Sequence, residues 1–243
     1  MVVKWLVTIF CCFVLFTIVQ RSFLHKVVFC NVGQGSATLI QVGYIQVLVD
    51  TGPNRAVLAC LGRHMPLFDD TVEYIIISHP QKDHDGALPL IANRYKIQTI
   101  IAHKKYLLSR SDSSVKSMSL FIHIPNVHIT VSKASQIYKS VNESAYVVTI
   151  QSKKELFFLS SDISGYQLRK LIPKSVTIFT VPHHGSKNGM YANSLSDVSP
   201  RLAVISVGKN NYGHPHATVI NFLNERNIPM WRTDIDGELS IPL

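Results

Sequence analysis

Residues 76–86 read IISHPQKDHDG. They close an apolar, β-branched run, Val72-Glu73-Tyr74-Ile75-Ile76-Ile77, with the composition of a buried strand. The strand empties into a loop that holds His79, Asp83, His84 and Asp85. The spacing H-x-x-x-D-H offers one carboxylate and two imidazoles from a single turn, a borderline donor set suited to Zn²⁺ or Mn²⁺. Isolated, such a cluster is also what a polar surface loop contains.

Working outward, polar groups recur wherever an apolar strand stops. Asp50-Thr51-Gly52 follows IQVLV, Asp162 follows LFFLSS, His183-His184-Gly185-Ser186 follows IFTVP, and Asn210 to His216 follows AVISVG. Open α/β sheets build their sites from loops at the carboxyl ends of strands. The five loops are therefore expected to converge, with Asp162 and the His183/His184 pair as remote ligands completing the shell begun by His79, Asp83 and His84.

The chain has 243 residues, 47% of them hydrophobic, enough to enclose one large core. After Val27, hairpin-like β runs give way to alternating strand and helix patterns, which predicts an α/β or α+β layered domain over residues 25–243. Helices are expected at 54–63, 86–94, 165–171, 190–195 and 217–225. The serine-rich segment 109–119 reads as an exposed loop. The formal charge of +9 favours an anionic partner, such as a polyphosphate or an acidic lipid surface.

Residues 1–24 form a separate unit. An apolar run from Trp5 to Val19 follows the lone charge Lys4, and residues 20–24 lack a small-x-small cleavage pattern. An uncleaved membrane anchor with the main domain outside the cytoplasm is expected; cleavage would make the domain secreted. Of the four cysteines, Cys11 and Cys12 lie in this run, while Cys30 and Cys60 read as buried thiols, a disulfide being the other reading.

The segments NVGQGSATLI (31–40), LVDTG (48–52), SHPQKDHDGAL (78–88), LSSD (159–162), VPHHGS (181–186), SVGKNNYGHP (206–215) and WRTDIDGELSI (231–241) together resemble the metallo-β-lactamase-fold hydrolase domain of the ComEC competence family. They span nearly everything after the hydrophobic run, and VGQG, PHHGS and NNYGHP are the most specific. The resemblance implies a four-layer αβ/βα sandwich with two divalent ions, Zn or Mn, on a shared rim. It implies His79, Gln81, Asp83, His84, Asp162 and His183 or His184 as ligands, with Asp162 bridging. It implies hydrolysis of DNA phosphodiesters by metal-activated water, a role in DNA uptake, and a separate channel or uptake partner, because this chain holds at most one membrane helix.

Around the ligands, Asp83, His214 and Lys187 are the catalytic candidates. Lys209, Asn211 and His216 are candidate phosphate contacts. Asp50, Gln34 and Asp234 are candidates for orienting the ligands from behind. The chain departs from the family pattern at Gln81, where a histidine or aspartate is usual, and at Asn31, Ser36 and Ser161. An amide oxygen is a weak neutral ligand, so one metal position is expected to lose affinity. Two other functions follow from the same residues: a nucleic-acid-binding module with weakened or no catalysis, and a metallohydrolase of a lactam, thioester or small phosphoester.

Overall fold

Strands with apolar residues on both faces need cover on both sides, and these strands find it between a second sheet and a layer of helices. The structure is a computed structural model and describes residues 2–23, 25–103, 115–116, 120–135, 140–142 and 144–243. The first sheet contains β1 (His25–Phe29), β2 (Thr38–Val42), β3 (Ile45–Val49), β4 (Thr71–Ile76), β5 (Lys96–Ile101), β6 (Val115–Lys116) and β14 (Leu239–Pro242). Its order is β14-β1-β2-β3-β4-β5-β6. The second contains β7 (Leu120–Ile124), β8 (Val127–Lys133), β9 (Tyr146–Gln151), β10 (Leu156–Leu159), β11 (Ile178–Thr180), β12 (Leu202–Ile205) and β13 (Met230–Arg232), in the order β13-β12-β11-β10-β9-β8-β7.

Both sheets are mixed. Antiparallel pairing joins β14, β1, β2 and β3, whereas β3 to β6 run parallel. In the second sheet β7 to β10 are antiparallel and β10 to β13 parallel. The parallel halves matter for function, because they send the carboxyl ends of β3, β4, β10, β11 and β12 into loops that meet.

Three apolar cores hold the layers. Phe29, Ile40, Val49, Ile129, Tyr146 and Phe157 pack between the sheets. Val57 and Leu61 of helix α2 (Ala56–His64), with Leu88 and Ile91 of α4 (Leu88–Arg94), cover the outer face of the first sheet. Leu168 of α5 (Gly165–Leu171) and Val219 and Leu223 of α6 (Ala217–Glu225) cover the second. Each large side chain so buried contributes roughly 1.5–3 kcal/mol. The resulting order, helix, sheet, sheet, helix, is the predicted αβ/βα sandwich.

Several local expectations are corrected. The helix expected at 86–94 is present as α4, and a single turn that was not expected, α3 (Lys82–Asp85), precedes it. The helix expected at 190–195 is a run of turns, because Ser194 Oγ accepts the Tyr191 N–H at 2.9 Å and donates to Gly165 at 3.2 Å, diverting the helix ladder. Cys30, just past β1, and Cys60, on α2, form a disulfide with a Cα–Cα distance of 5.9 Å rather than remaining thiols. Segment 109–119 lies outside the described residues except for the short strand at 115–116.

Helix α1 (Val2–Phe23) precedes the sandwich. Its side chains are described from Lys4 to Phe16; all are exposed, including Trp5, Phe10 and Phe13, and none joins a core. No helix among the described residues is long and apolar enough to cross a membrane. The spanning anchor expected over residues 1–24 is therefore not found in them.

Candidate metal centre

The polar loops do converge. Asp50 follows β3, the 78–86 loop follows β4, Asp162 follows β10, the His183/His184 turn follows β11, and the 206–216 loop follows β12. Backbone conformation aims the side chains: Asp50, Ser161, His183 and His184 all adopt positive φ, between 52° and 58°. Such left-handed geometry is costly for residues with a Cβ and marks a constrained site. At Ser161 it accounts for the glycine usual in the family. Gly185 continues the turn at φ 81°, where an added Cβ would strike Pro215.

Asp83, His84, Asp162 and His184 offer ligand atoms that all lie within 4.8 Å of one another. His184 Nδ1 lies 2.7 Å from the Ser206 carbonyl, so that nitrogen carries the proton and Nε2 presents a lone pair toward Asp83 Oδ2 at 3.3 Å. His84 repeats the device: Nδ1 lies 2.7 Å from Asp50 Oδ2, and Nε2 faces Asp162 Oδ1 at 3.2 Å without hydrogen-bond alignment. Two imidazole lone pairs thus point at two carboxylates, an arrangement that is repulsive until a cation sits among them. His84 Nε2 and Asp162 Oδ2 are buried without hydrogen-bond partners. The donor set therefore fits a divalent ion, and the partners behind His84 and His184 fix the tautomer a ligand needs.

The electrostatics agree. Burial raises the Asp162 carboxyl, but the surrounding His84 and His184 outweigh it and hold the group ionised, far below the usual carboxylate range. Burial likewise opposes charge on His84, yet the Asp162 and Asp50 carboxylates hold its pKa well above the ordinary value. A proton there answers the same demand for positive charge that a metal would. Asp83 is pushed up by burial and pulled below its ordinary value by His184 and the neighbouring His84.

The second position implied by the family resemblance has a poorer donor set. His79 Nε2 lies 3.8 Å and His183 Nε2 3.6 Å from Asp162 Oδ2, which gives two imidazoles but only one shared carboxylate. Gln81 Oε1 sits 2.9 Å from His79 Nε2. Two tautomers of His79 compete: Nε2–H toward Gln81, or Nδ1–H toward the hydroxyls of Ser78 at 3.0 Å and Ser161 at 3.3 Å, with Nε2 free for a cation. Burial and neighbouring His84 depress the His79 pKa, which keeps the ring neutral. Of the histidine pair, His184 is buried in the tight cluster and His183 is the half-exposed member facing the second position.

Other predicted residues divide. Asp50 does support the centre, accepting from the Ser78 N–H at 2.8 Å and the Ser78 hydroxyl at 2.9 Å besides holding His84. Gln34 accepts the Gly208 N–H at 3.2 Å and so ties the 33–35 turn to the 206–216 loop. That turn presses on Asp83: Ser36 N–H donates to the Asp83 carbonyl at 3.0 Å, and a Cβ on Gly35 would lie 2.4 Å from the same oxygen. Asn31 is exposed and accepts the Gly33 N–H at 3.2 Å. Asp234 is not a support for the imidazoles, since it pairs with Arg232 at 2.8 Å. His216 caps α6, its Nδ1 accepting the Thr218 N–H at 3.2 Å.

An open cleft of about 610 Å³ stands over the centre, lined by Gln34, Pro53, Gln81, Lys82, Asp83, His183, His184, Tyr212 and His214. Lys187, Lys209 and Asn211 are exposed and do not line it. His214 does; burial and then His183 and His184 lower its pKa, so it is a neutral imidazole at neutral pH. The sequence reading overlooked Lys82 and the Ser78 hydroxyl. A larger space of about 790 Å³ lies beside Lys26, Arg63 and Tyr95, away from these ligands. The nearby Cys60–His64–Glu238 cluster is no metal site, because the Cys60 sulfur is in the disulfide.

Residues 30–208 match the family model described as the metallo-beta-lactamase superfamily. The chain is 24% identical over 188 residues to ComE operon protein 3 of Bacillus subtilis (strain 168), covering 69% of this chain and 24% of that protein. It is 24% identical over 225 residues to competence protein ComA of Neisseria gonorrhoeae, covering 88% and 31%. The chain thus spans a third or less of these relatives. Among solved structures, the metallo-beta-lactamase fold protein YhfI from Bacillus subtilis superposes with a TM-score of 0.60 at 14% identity, covering 89% of this chain and 99% of that one. With its two-sheet sandwich and its histidine–aspartate rim, this chain belongs to the metallo-beta-lactamase superfamily.

Proposed function

We propose that the chain is a metal-dependent phosphodiesterase that cuts DNA. The observation that carries this reading is the Asp83–His84–Asp162–His184 cluster, buried except for the half-exposed Asp83, at the floor of an open cleft, in a chain of formal charge +9. A divalent ion held there supplies Lewis acidity, which acidifies water and offsets the charge that gathers on a phosphoryl group. The chain's own residues do the rest. Asp83 and Asp162 fix the cluster's negative charge, Asp50 and the Ser206 carbonyl hold His84 and His184 in the ligating tautomer, and His214 and Lys82 present N–H donors to phosphate oxygens across the cleft. Lys187 and Lys209, outside the cleft, suit the flanking backbone.

The names of the competence relatives support DNA as the substrate and uptake as the setting, with other uptake proteins as partners. The Cys30–Cys60 bridge supports an oxidising compartment outside the cytoplasm. The exposed apolar side chains of α1 support attachment to a membrane. One observation favours a second reading, a nucleic-acid-binding module of weak activity: Gln81 competes for the His79 nitrogen that the second position needs.

The deciding experiment incubates the purified full chain in mild detergent with labelled DNA and Mn²⁺ or Zn²⁺, beside an Asp83→Ala, His84→Ala variant, with metal content measured on both. Cleavage by the wild type alone, with bound metal, supports the enzyme. Binding without cleavage supports the module, and equal cleavage by both proteins removes the enzyme reading.

A further inference from the structure

The 208–216 loop carries an aromatic side chain for which metal binding has no use. Tyr212 is 76% exposed, yet it borders the same cleft as Asp83, His183 and His184. The loop beneath it is braced by one residue. The Asn210 amide donates to the carbonyls of Gly208 and His214, both at 2.8 Å, and its Oδ1 accepts the N–H groups of Tyr212 and His214, both at 3.0 Å. At the loop's root, Gly208 packs so tightly on Gly33 that an added Cβ would lie 2.3 Å from the Gly33 carbonyl carbon. A braced loop presents the ring already positioned, so little further ordering is lost when a flat ligand lands on it.

The ring also stands in a defined relation to the centre. It lies 5.8 Å from the His214 ring, which lies 5.7 Å from the His183 ring, whose Nε2 is 3.6 Å from Asp162. Two ring-to-ring steps therefore lead from the exposed aromatic to the ligand rim. Across the cleft the walls are Pro53, Lys82 and the two glutamines, Gln34 and Gln81.

We propose that Tyr212 is a stacking platform for an unpaired base whose adjoining phosphate lies at the histidine–aspartate rim, so that the site takes single-stranded nucleic acid in preference to duplex. This rests on the phosphodiesterase reading. In a duplex both faces of each base are covered by neighbours, and only an unpaired base offers a face to an aromatic side chain. Every base has such a face, so the preference is for strand state and carries little sequence selectivity.

The test measures cleavage by the full chain in detergent with Mn²⁺, using a single-stranded oligonucleotide, its duplex, and the same single strand with one abasic position swept along it. The wild type should have the higher kcat/KM on the single strand. Tyr212→Ala should raise KM for the single strand about tenfold, the scale of one lost stacking contact, while duplex cleavage changes less than about twofold. Tyr212→Phe and Tyr212→Trp should restore the single-strand value. An abasic position next to the cut should penalise the wild type and not Tyr212→Ala, because base and ring are then lost only once. Equal losses on single strand and duplex, or an abasic penalty that persists in Tyr212→Ala, would overturn the platform and leave the phosphodiesterase standing. Failure of the wild type to cut either nucleic acid would overturn the reading beneath it.

Discussion

Asp162 is the carboxylate that four histidines face, with Oδ1 toward His84 and His184 and Oδ2 toward His79 and His183. Asp162→Asn keeps the shape and removes the charge, so bound metal and cleavage should both fall by more than the roughly 10–100-fold typical of losing a supporting partner. Metal analysis alongside circular dichroism checks this, since the fold should survive. Asp50→Asn should fall within that 10–100-fold range in metal affinity, read by competition with a chelator, because it frees His84 Nδ1 without removing a ligand. Gln81→His supplies the missing imidazole, and we expect bound metal to rise from about one toward two equivalents per chain by elemental analysis. The ligand types were legible in H-x-x-x-D-H and HHGS. Which histidine of the tandem pair turns inward was not, because that is set by the left-handed backbone at His183 and His184 and by the Ser206 carbonyl, 22 positions away.

Elements are tied across the chain by contacts that spacing does not reveal. The Cys30–Cys60 bridge pins α2 to the end of β1 across a sequence separation of 30. Replacing both cysteines with alanine should lower unfolding free energy by roughly 2–4 kcal/mol in urea titrations, from the loop entropy restored to the unfolded chain. Glu238, just before β14, takes a two-pronged hydrogen bond from Arg63 and a third contact from His64, both in α2. The Arg63 hydrogen bond holds its carboxyl below the ordinary value of 4.5. A carboxyl depressed on folding stabilises fully above its unfolded pKa and loses that contribution as pH falls through the folded value. Glu238→Gln should therefore lower the unfolding free energy at pH 7 by a surface-pair margin of about 1 kcal/mol or less, read by urea titration, and the gap to wild type should close below pH 4.5. Strand runs were legible because β-branched blocks announce themselves. The 190–195 helix was misread because Ser194 bonds the backbone instead of continuing it.

For the molecule as a whole, the layered sandwich and the convergence of loops at strand ends were legible in the order of motifs, since parallel strands deliver their carboxyl ends to a common rim. The asymmetry of charge around that rim was visible only as a net +9. In space, exposed Lys82, Lys187 and Lys209 belong to the loops around the cleft, while Asp83 and Asp162 turn inward to the centre. A polyanion drawn to three lysines releases their share of condensed counterions, so log affinity for a single strand should fall linearly with log salt at a slope of about −2, roughly −0.7 for each phosphate contacted. Lys187→Ala should make that slope shallower by about 0.7 while leaving bound metal unchanged. A neutral lactam or thioester engages no such atmosphere, and its KM would be nearly independent of salt. Titration of oligonucleotide binding between low and physiological salt thus separates the substrate classes that the shared fold alone admits: a flat response would remove the polyanion, and a steep one would remove the neutral small molecules.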